Sequence, residues 1–99
     1  MGLGSQQREF AKAVGKLLVF IYSKEGYGVT FGDAWAKTGH SKTSFHYKRL
    51  AIDLNLFLDG VWLQKTEDHT IFGEYWESLG GTWGGRFKRK DGNHYSWGE

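Results

Sequence analysis

His46 and Asp53 stand seven residues apart, and Asp91 and His94 stand three apart in the run Lys90-Asp91-Gly92-Asn93-His94-Tyr95. The chain has no Cys, so any metal it holds must be bound by His, Asp or Glu. Two His and one Asp converging on one point would make a three-ligand zinc site whose fourth position stays open for water. Asp91, a carboxylate beside such a site, would be placed to take that water's proton. Spacing alone leaves a plainer reading open. The chain has four His in 99 residues, and a lone His is more often structural or exposed than a ligand.

Those residues need elements to carry them. The clearest is a strand over Leu50 to Phe57, where Leu50, Ile52, Leu54 and Leu56 alternate with Ala51, Asp53, Asn55 and Phe57. Asp53 falls on the face opposite the leucines, where a carboxylate is either solvated or in use. Asp59-Gly60 is a two-residue turn signal, and Val61 to Gln64 is the returning strand. Upstream, Ser5 is placed to cap a helix running to about Glu25, with Phe10, Val14, Leu17, Leu18 and Ile21 on one apolar face and Gly26 as a left-handed stop. Tyr27 to Trp35 is extended and Lys37 to Thr43 a polar loop. Asp68 is placed to cap a second helix carrying Phe72, Tyr75, Trp76 and Leu79, ended by Gly80-Gly81. A last aromatic strand surrounds Tyr95 to Trp97, with Tyr95 and Trp97 on the face opposite His94. The expected fold is α+β: a small antiparallel sheet with two main helices packed on it and the zinc site at the sheet face.

Length allows one domain over residues 1–99, with residues 1–4 a loose start. Aromatics make up 17% of the chain, so bulky rings must fill a thin core. The net charge of +2, from 13 Lys and Arg against 11 Asp and Glu, is too balanced to indicate nucleic-acid binding. The run Arg86-Phe87-Lys88-Arg89-Lys90 is the one basic cluster and is expected to be a solvated loop; a basic nucleic-acid-binding module is the competing reading. Leu17 to Tyr22 is apolar but far too short to cross a membrane. No secretory flank is evident, so the protein is expected to be made in the cytoplasm. His40 and His69 are expected at the surface.

The segment Ser44-Phe45-His46-Tyr47-Lys48-Arg49-Leu50-Ala51-Ile52-Asp53-Leu54 resembles the S-x-H-x-x-G-x-A-x-D-L signature of the LAS-type zinc peptidases. That family contains D-alanyl-D-alanine carboxypeptidases and dipeptidases and phage L-alanyl-D-glutamate endolysins. Its second signature, an acidic residue, two spacers and a His, is matched by Asp91 to His94. Trp83-Gly84-Gly85-Arg86-Phe87 and Asp53-Leu54-Asn55-Leu56-Phe57 also look like the phage members, and the resemblance spans roughly residues 5–97. It implies that His46, Asp53 and His94 are the zinc ligands and that Asp91 is the catalytic base.

Two departures stand out. Arg49 occupies the place of the signature's Gly. The Arg that the family uses to stabilise the oxyanion falls on Ala36, so the resemblance leaves Arg49 or Lys37 to supply that charge, with Lys acting only as a point charge. Ser44 is either a substrate-orienting hydroxyl or a loop cap. The phage-like segments point to a monomeric endolysin that hydrolyses the L-alanyl-D-glutamate bond of peptidoglycan stem peptides after release from the cytoplasm, with a holin as the route. D-alanyl-D-alanine cleavage and a metal-binding but inactive wall-binding protein are the alternatives.

Overall fold

The computed structural model describes residues 2–34 and 48–98. Lys37, Ser44 and His46 lie outside the described residues, as do the polar loop expected over Lys37 to Thr43 and His40. The architecture is the expected α+β: two helices packed on a small antiparallel sheet.

Helix α1 covers Leu3–Tyr22 and buries Phe10, Ala13, Leu17 and Ile21, whose spacing keeps them on one face. It starts earlier than Ser5. Extended Gly2 is the N-cap and its carbonyl accepts the Gln6 N–H at 3.1 Å, so residues 3–4 belong to the first turn rather than to a loose end. The helix also ends before Glu25. Ser23 turns its hydroxyl back onto the Phe20 carbonyl, satisfying an end group of the helix. The chain then reverses through Gly26 at φ +84°.

Strand β1 (Tyr27–Phe31) pairs antiparallel with β2 (Ala51–Leu58), Val29 facing Leu56 and Phe31 facing Leu54. Asp59 and Gly60, at φ +50° and +80°, form the tight reversal into β3 (Val61–Leu63). Both central residues of this turn are left-handed, matching the twist of the flanking strands. A short 3-10 turn (Thr66–His69) leads into α2 (Thr70–Ser78). Asp68 does not cap α2 itself. It sits one turn earlier, where its carboxylate accepts the Lys65 backbone N–H at 3.1 Å.

Two further strands close the sheet, β4 (Thr82–Trp83) and β5 (His94–Ser96). β5 lies between β2 and β4, giving the order β1-β2-β5-β4. β3 and β5 share one edge of β2: β3 runs along residues 56–58 and β5 along residues 51–53. Regular pairing on that edge therefore stops between residues 53 and 56, where the Leu54 N–H bonds the Asn93 carbonyl just outside β5. β4 carries no alternating pattern that two residues could display, which is why the sequence hides it.

The leucine face of β2 is the floor of the core. Leu50, Ile52, Leu54 and Leu56 are all buried against Phe10, Leu17, Ile21, Phe72, Trp76 and Tyr95. Trp76 is fully buried and makes edge contacts with Phe10, Tyr95 and Trp97 at ring-centre distances of 5.6 to 6.0 Å. Its indole N–H donates to the Ser96 carbonyl at 2.9 Å, so burying the ring leaves no donor unsatisfied. Tyr95 and Trp97 thus pack into the core side, as expected from strand parity. No helix among the described residues is long and apolar enough to cross a membrane.

Candidate metal centre

Asp53 and His94 are register partners across the β2–β5 ladder. Directly opposed residues project from the same face of an antiparallel pair, here the face away from the leucines. The Asp53 carboxylate Oδ1 lies 3.7 Å from His94 Nδ1. The imidazole is buried and the carboxylate half-buried. The Asp53 backbone is held by the segment after β1, its N–H donating to the Asp33 carbonyl and its own carbonyl accepting the Gly32 N–H, both at 2.8 Å. On the other edge the Leu54 N–H donates to the Asn93 carbonyl at 2.9 Å.

Asp91 reaches the same place through a turn. The His94 N–H donates to the Asp91 carbonyl at 3.1 Å, folding Asp91-Gly92-Asn93-His94 tightly. The Asp91 N–H is fixed to the Gly84 carbonyl at 2.9 Å, and the Trp83 indole donates to the Gly92 carbonyl at 2.7 Å. Phe87 lays its ring 5.3 Å from that of His94, shielding one side of the imidazole. One ligand atom each from Asp53, Asp91 and His94 lie within 4.8 Å of one another.

This donor set fits zinc. Ligands about 2.0–2.2 Å from a tetrahedral ion are roughly 3.3–3.5 Å apart, and the Asp53–His94 separation of 3.7 Å needs only a small contraction to match. One imidazole and carboxylate oxygens are the donors expected in a chain without thiolates. A group of this kind can hold a divalent ion and place a carboxylate beside it for proton transfer.

Strand β2 starts at Ala51, and Arg49 precedes it in a left-handed bend at φ +56°. It lines a groove with Gln7, Phe10 and Val14 of α1 and with Ile52, whose side chain leaves the strand on the face opposite Asp53. The basic run is less free than its composition implies. Arg86 makes two hydrogen bonds to Glu77, each 3.1 Å, and lies over the Trp83 ring, while Lys88, Arg89 and Lys90 are exposed.

His69 corrects the surface expectation: only 3% of it is exposed. It closes the turn before α2, and its Nδ1 lies 2.8 Å from the buried hydroxyl of Tyr95. Burial lowers its pKa to about 4, against a smaller opposing effect of Asp68. Burial pushes the Tyr95 phenol upward. No spacing rule reveals this pair; a hint lies only in Tyr95, whose core position obliges its O–H to find a partner.

The lowered pKa has a consequence for stability. The unfolded chain protonates this imidazole below about pH 6.5, the folded chain only below about 4. Between these values the unfolded state binds more protons, so stability falls on acidification. The slope is about 1.4 kcal/mol per pH unit within the window, with no further loss from this group below pH 4. Urea midpoints measured from pH 7 to 4.5 should show the fall, and His69→Gln should flatten it. A wild-type midpoint that stays constant would exclude a buried neutral His69.

A family model described as D-alanyl-D-alanine carboxypeptidase matches residues 38–97, well over half of the chain and the stretch that holds all three grouped residues. No curated protein matches it.

Proposed function

Because the chain belongs to the D-alanyl-D-alanine carboxypeptidase family of zinc peptidases, we propose that it hydrolyses the L-alanyl-D-glutamate bond of cell-wall stem peptides. The convergence of Asp53, Asp91 and His94 on one point of the sheet face is the observation that carries the peptidase reading. The choice of bond rests on the sequence around Trp83 to Phe87 and Asp53 to Phe57. D-alanyl-D-alanine cleavage is the second reading, favoured by the description of the matching family.

Asp53 and His94 are the described zinc ligands in this proposal, and His46 is the third. A zinc ion held there supplies Lewis acidity, polarising a peptide carbonyl and making water acidic enough to ionise near neutral pH. Asp91 is more exposed than the other two, which suits a group that must meet substrate and water. Its carboxylate takes the proton of the attacking water and then gives it to the departing amine. The Phe87 ring keeps water off one face of His94 and so holds the imidazole in place. Arg49 and Lys37 are the two cations to test for the oxyanion role, with Arg49, which lies between His46 and Asp53 in sequence, the first choice. The protein is proposed to be made in the cytoplasm and to act after release.

Digestion of purified peptidoglycan separates the two bond choices. Cleavage at L-alanyl-D-glutamate creates a new amino terminus on D-glutamate, whereas D,D-cleavage releases free D-alanine. Metal analysis after mild dialysis should find about one zinc per chain, and chelation should lower the melting temperature because binding is linked to folding. A zinc content near zero that added zinc does not raise would remove the peptidase reading.

A further inference from the structure

Between the stretches of β2 that pair with β3 and with β5, beside Leu54 and Asn55, a cleft of about 240 Å³ enters the molecule. Asp91 is one of its walls, so the cleft begins at the proposed catalytic base. Lys65 and Thr66, at the start of the 3-10 turn, form another side, Lys90 and Asn93 flank Asp91, and Trp62 stands at the rim, about half exposed. His69 lies at the bottom, almost wholly buried.

The hydrogen-bond accounting fixes what His69 offers. The Tyr95 hydroxyl is fully buried, and its one hydrogen bond among the described residues is to His69 Nδ1. A hydroxyl hydrogen aimed anywhere else would be buried without an acceptor. Tyr95 therefore donates, Nδ1 accepts, and the neutral imidazole carries its hydrogen on Nε2. The His69 side chain makes no other hydrogen bond among the described residues, and the residue lines the cleft. The cleft is thus lined by a residue with a hydrogen on Nε2 still to donate and by two lysines. Neither Lys65 nor Lys90 has an ion-pair partner among the described residues. Three donors of this kind around a small space suit an anion with two acceptor oxygens.

We propose that this cleft binds the free carboxylate of the D-glutamate residue on the leaving side of the scissile bond, and that His69, Lys65 and Lys90 make the enzyme prefer this acid over its amide. The inference rests on the peptidase reading given above. Asp91 delivers a proton to the leaving amine, so the residue bearing that amine must lie beside Asp91, where the cleft opens. A glutamyl residue uses one carboxyl in the chain and keeps the other. An amide in that place would set its own N–H groups against the His69 N–H and the two ammonium groups.

The test uses L-alanyl-γ-D-glutamyl-L-lysine with its D-glutamyl carboxylate free or amidated. The wild-type protein should show a KM for the acid about tenfold below that for the amide, the size expected for one charge-assisted contact partly shielded by water. Lys65→Ala/Lys90→Ala, both at exposed positions, should bring the ratio close to one. The product peptide γ-D-glutamyl-L-lysine gives a second readout without turnover: its binding should shift the His69 and Trp62 ring signals in NMR, its amide should bind more weakly, and the double variant should lose the difference. Equal binding of acid and amide by the wild-type protein, or a preference that survives in the double variant, overturns the proposal even if the bond is cut. Lysine-dependent binding of the acid with neither peptide hydrolysed would support the cleft assignment and remove the peptidase reading instead.

Discussion

Asp91→Ala should lower peptide hydrolysis by on the order of 10²–10⁴, the loss expected when a general base is removed, while zinc stays bound. The fold separates the two roles. Asp53 and His94 are opposed on a sheet ladder, half-buried and buried, with 3.7 Å between ligand atoms. Asp91 is on a turn, is exposed, and also borders the cleft where the leaving residue is proposed to sit. A ligand gains from rigidity and burial, whereas a base that meets substrate and water must be reachable. Asp91→Asn refines the test because it keeps shape and hydrogen bonding but cannot accept the proton. Both variants should show wild-type zinc content and a deep loss of rate on the stem-peptide substrate. A variant that loses its zinc would make Asp91 a ligand. One that keeps full rate would pass the role to another carboxylate.

The sequence made part of this site legible and hid the rest, for physical reasons. Alternation over Leu50 to Leu56 revealed both the strand and the face from which Asp53 projects, because a half-buried strand writes its two environments into successive residues. The three-residue spacing of Asp91 and His94 was readable because a tight turn places its first and last residues close together. The pairing of Asp53 with His94 was not readable, since β5 is three residues long and register between distant strands leaves no local trace. The position of Arg49 depended on where the strand begins. A left-handed residue at 49 ends the alternation before Ala51, a break that spacing alone does not show. His69 was hidden for another reason: burial of a polar ring is decided by the partner it finds, here Tyr95, twenty-six residues away.

Gly84→Ala should damage the site from outside it. Gly84 begins the 3-10 turn Gly84–Arg86, and its carbonyl accepts the N–H groups of both Asp91 and Phe87. A Cβ at this position would overlap the Asp91 carbonyl oxygen and lie 2.8 Å from the His94 Cβ. Neither is the end of a flexible side chain. The oxygen belongs to the turn that sets Asp91 three residues from His94, and the Cβ is fixed by the β5 ladder. Relief must come from moving the 91–94 turn away from Trp83 and Gly84, which displaces the base and a proposed ligand together. Overpacking of this kind typically costs about 1–3 kcal/mol, and a displacement of about 1 Å in a reacting group can cost about 10²-fold in rate. The expected result is a folded but less stable protein with weaker zinc retention and at least that loss of activity. Gly15→Ala is the matched control: it is exposed within α1, nothing lies within 4 Å of the added methyl, and helix propensity predicts a gain of about 0.5–1 kcal/mol. Circular dichroism melts, metal content and hydrolysis rate measured on both variants give the comparison. If Gly84→Ala keeps wild-type zinc content and rate, the Asp91 turn has slack that its hydrogen bonds to Gly84 and Trp83 do not reveal, and the site tolerates a shift that its geometry forbids.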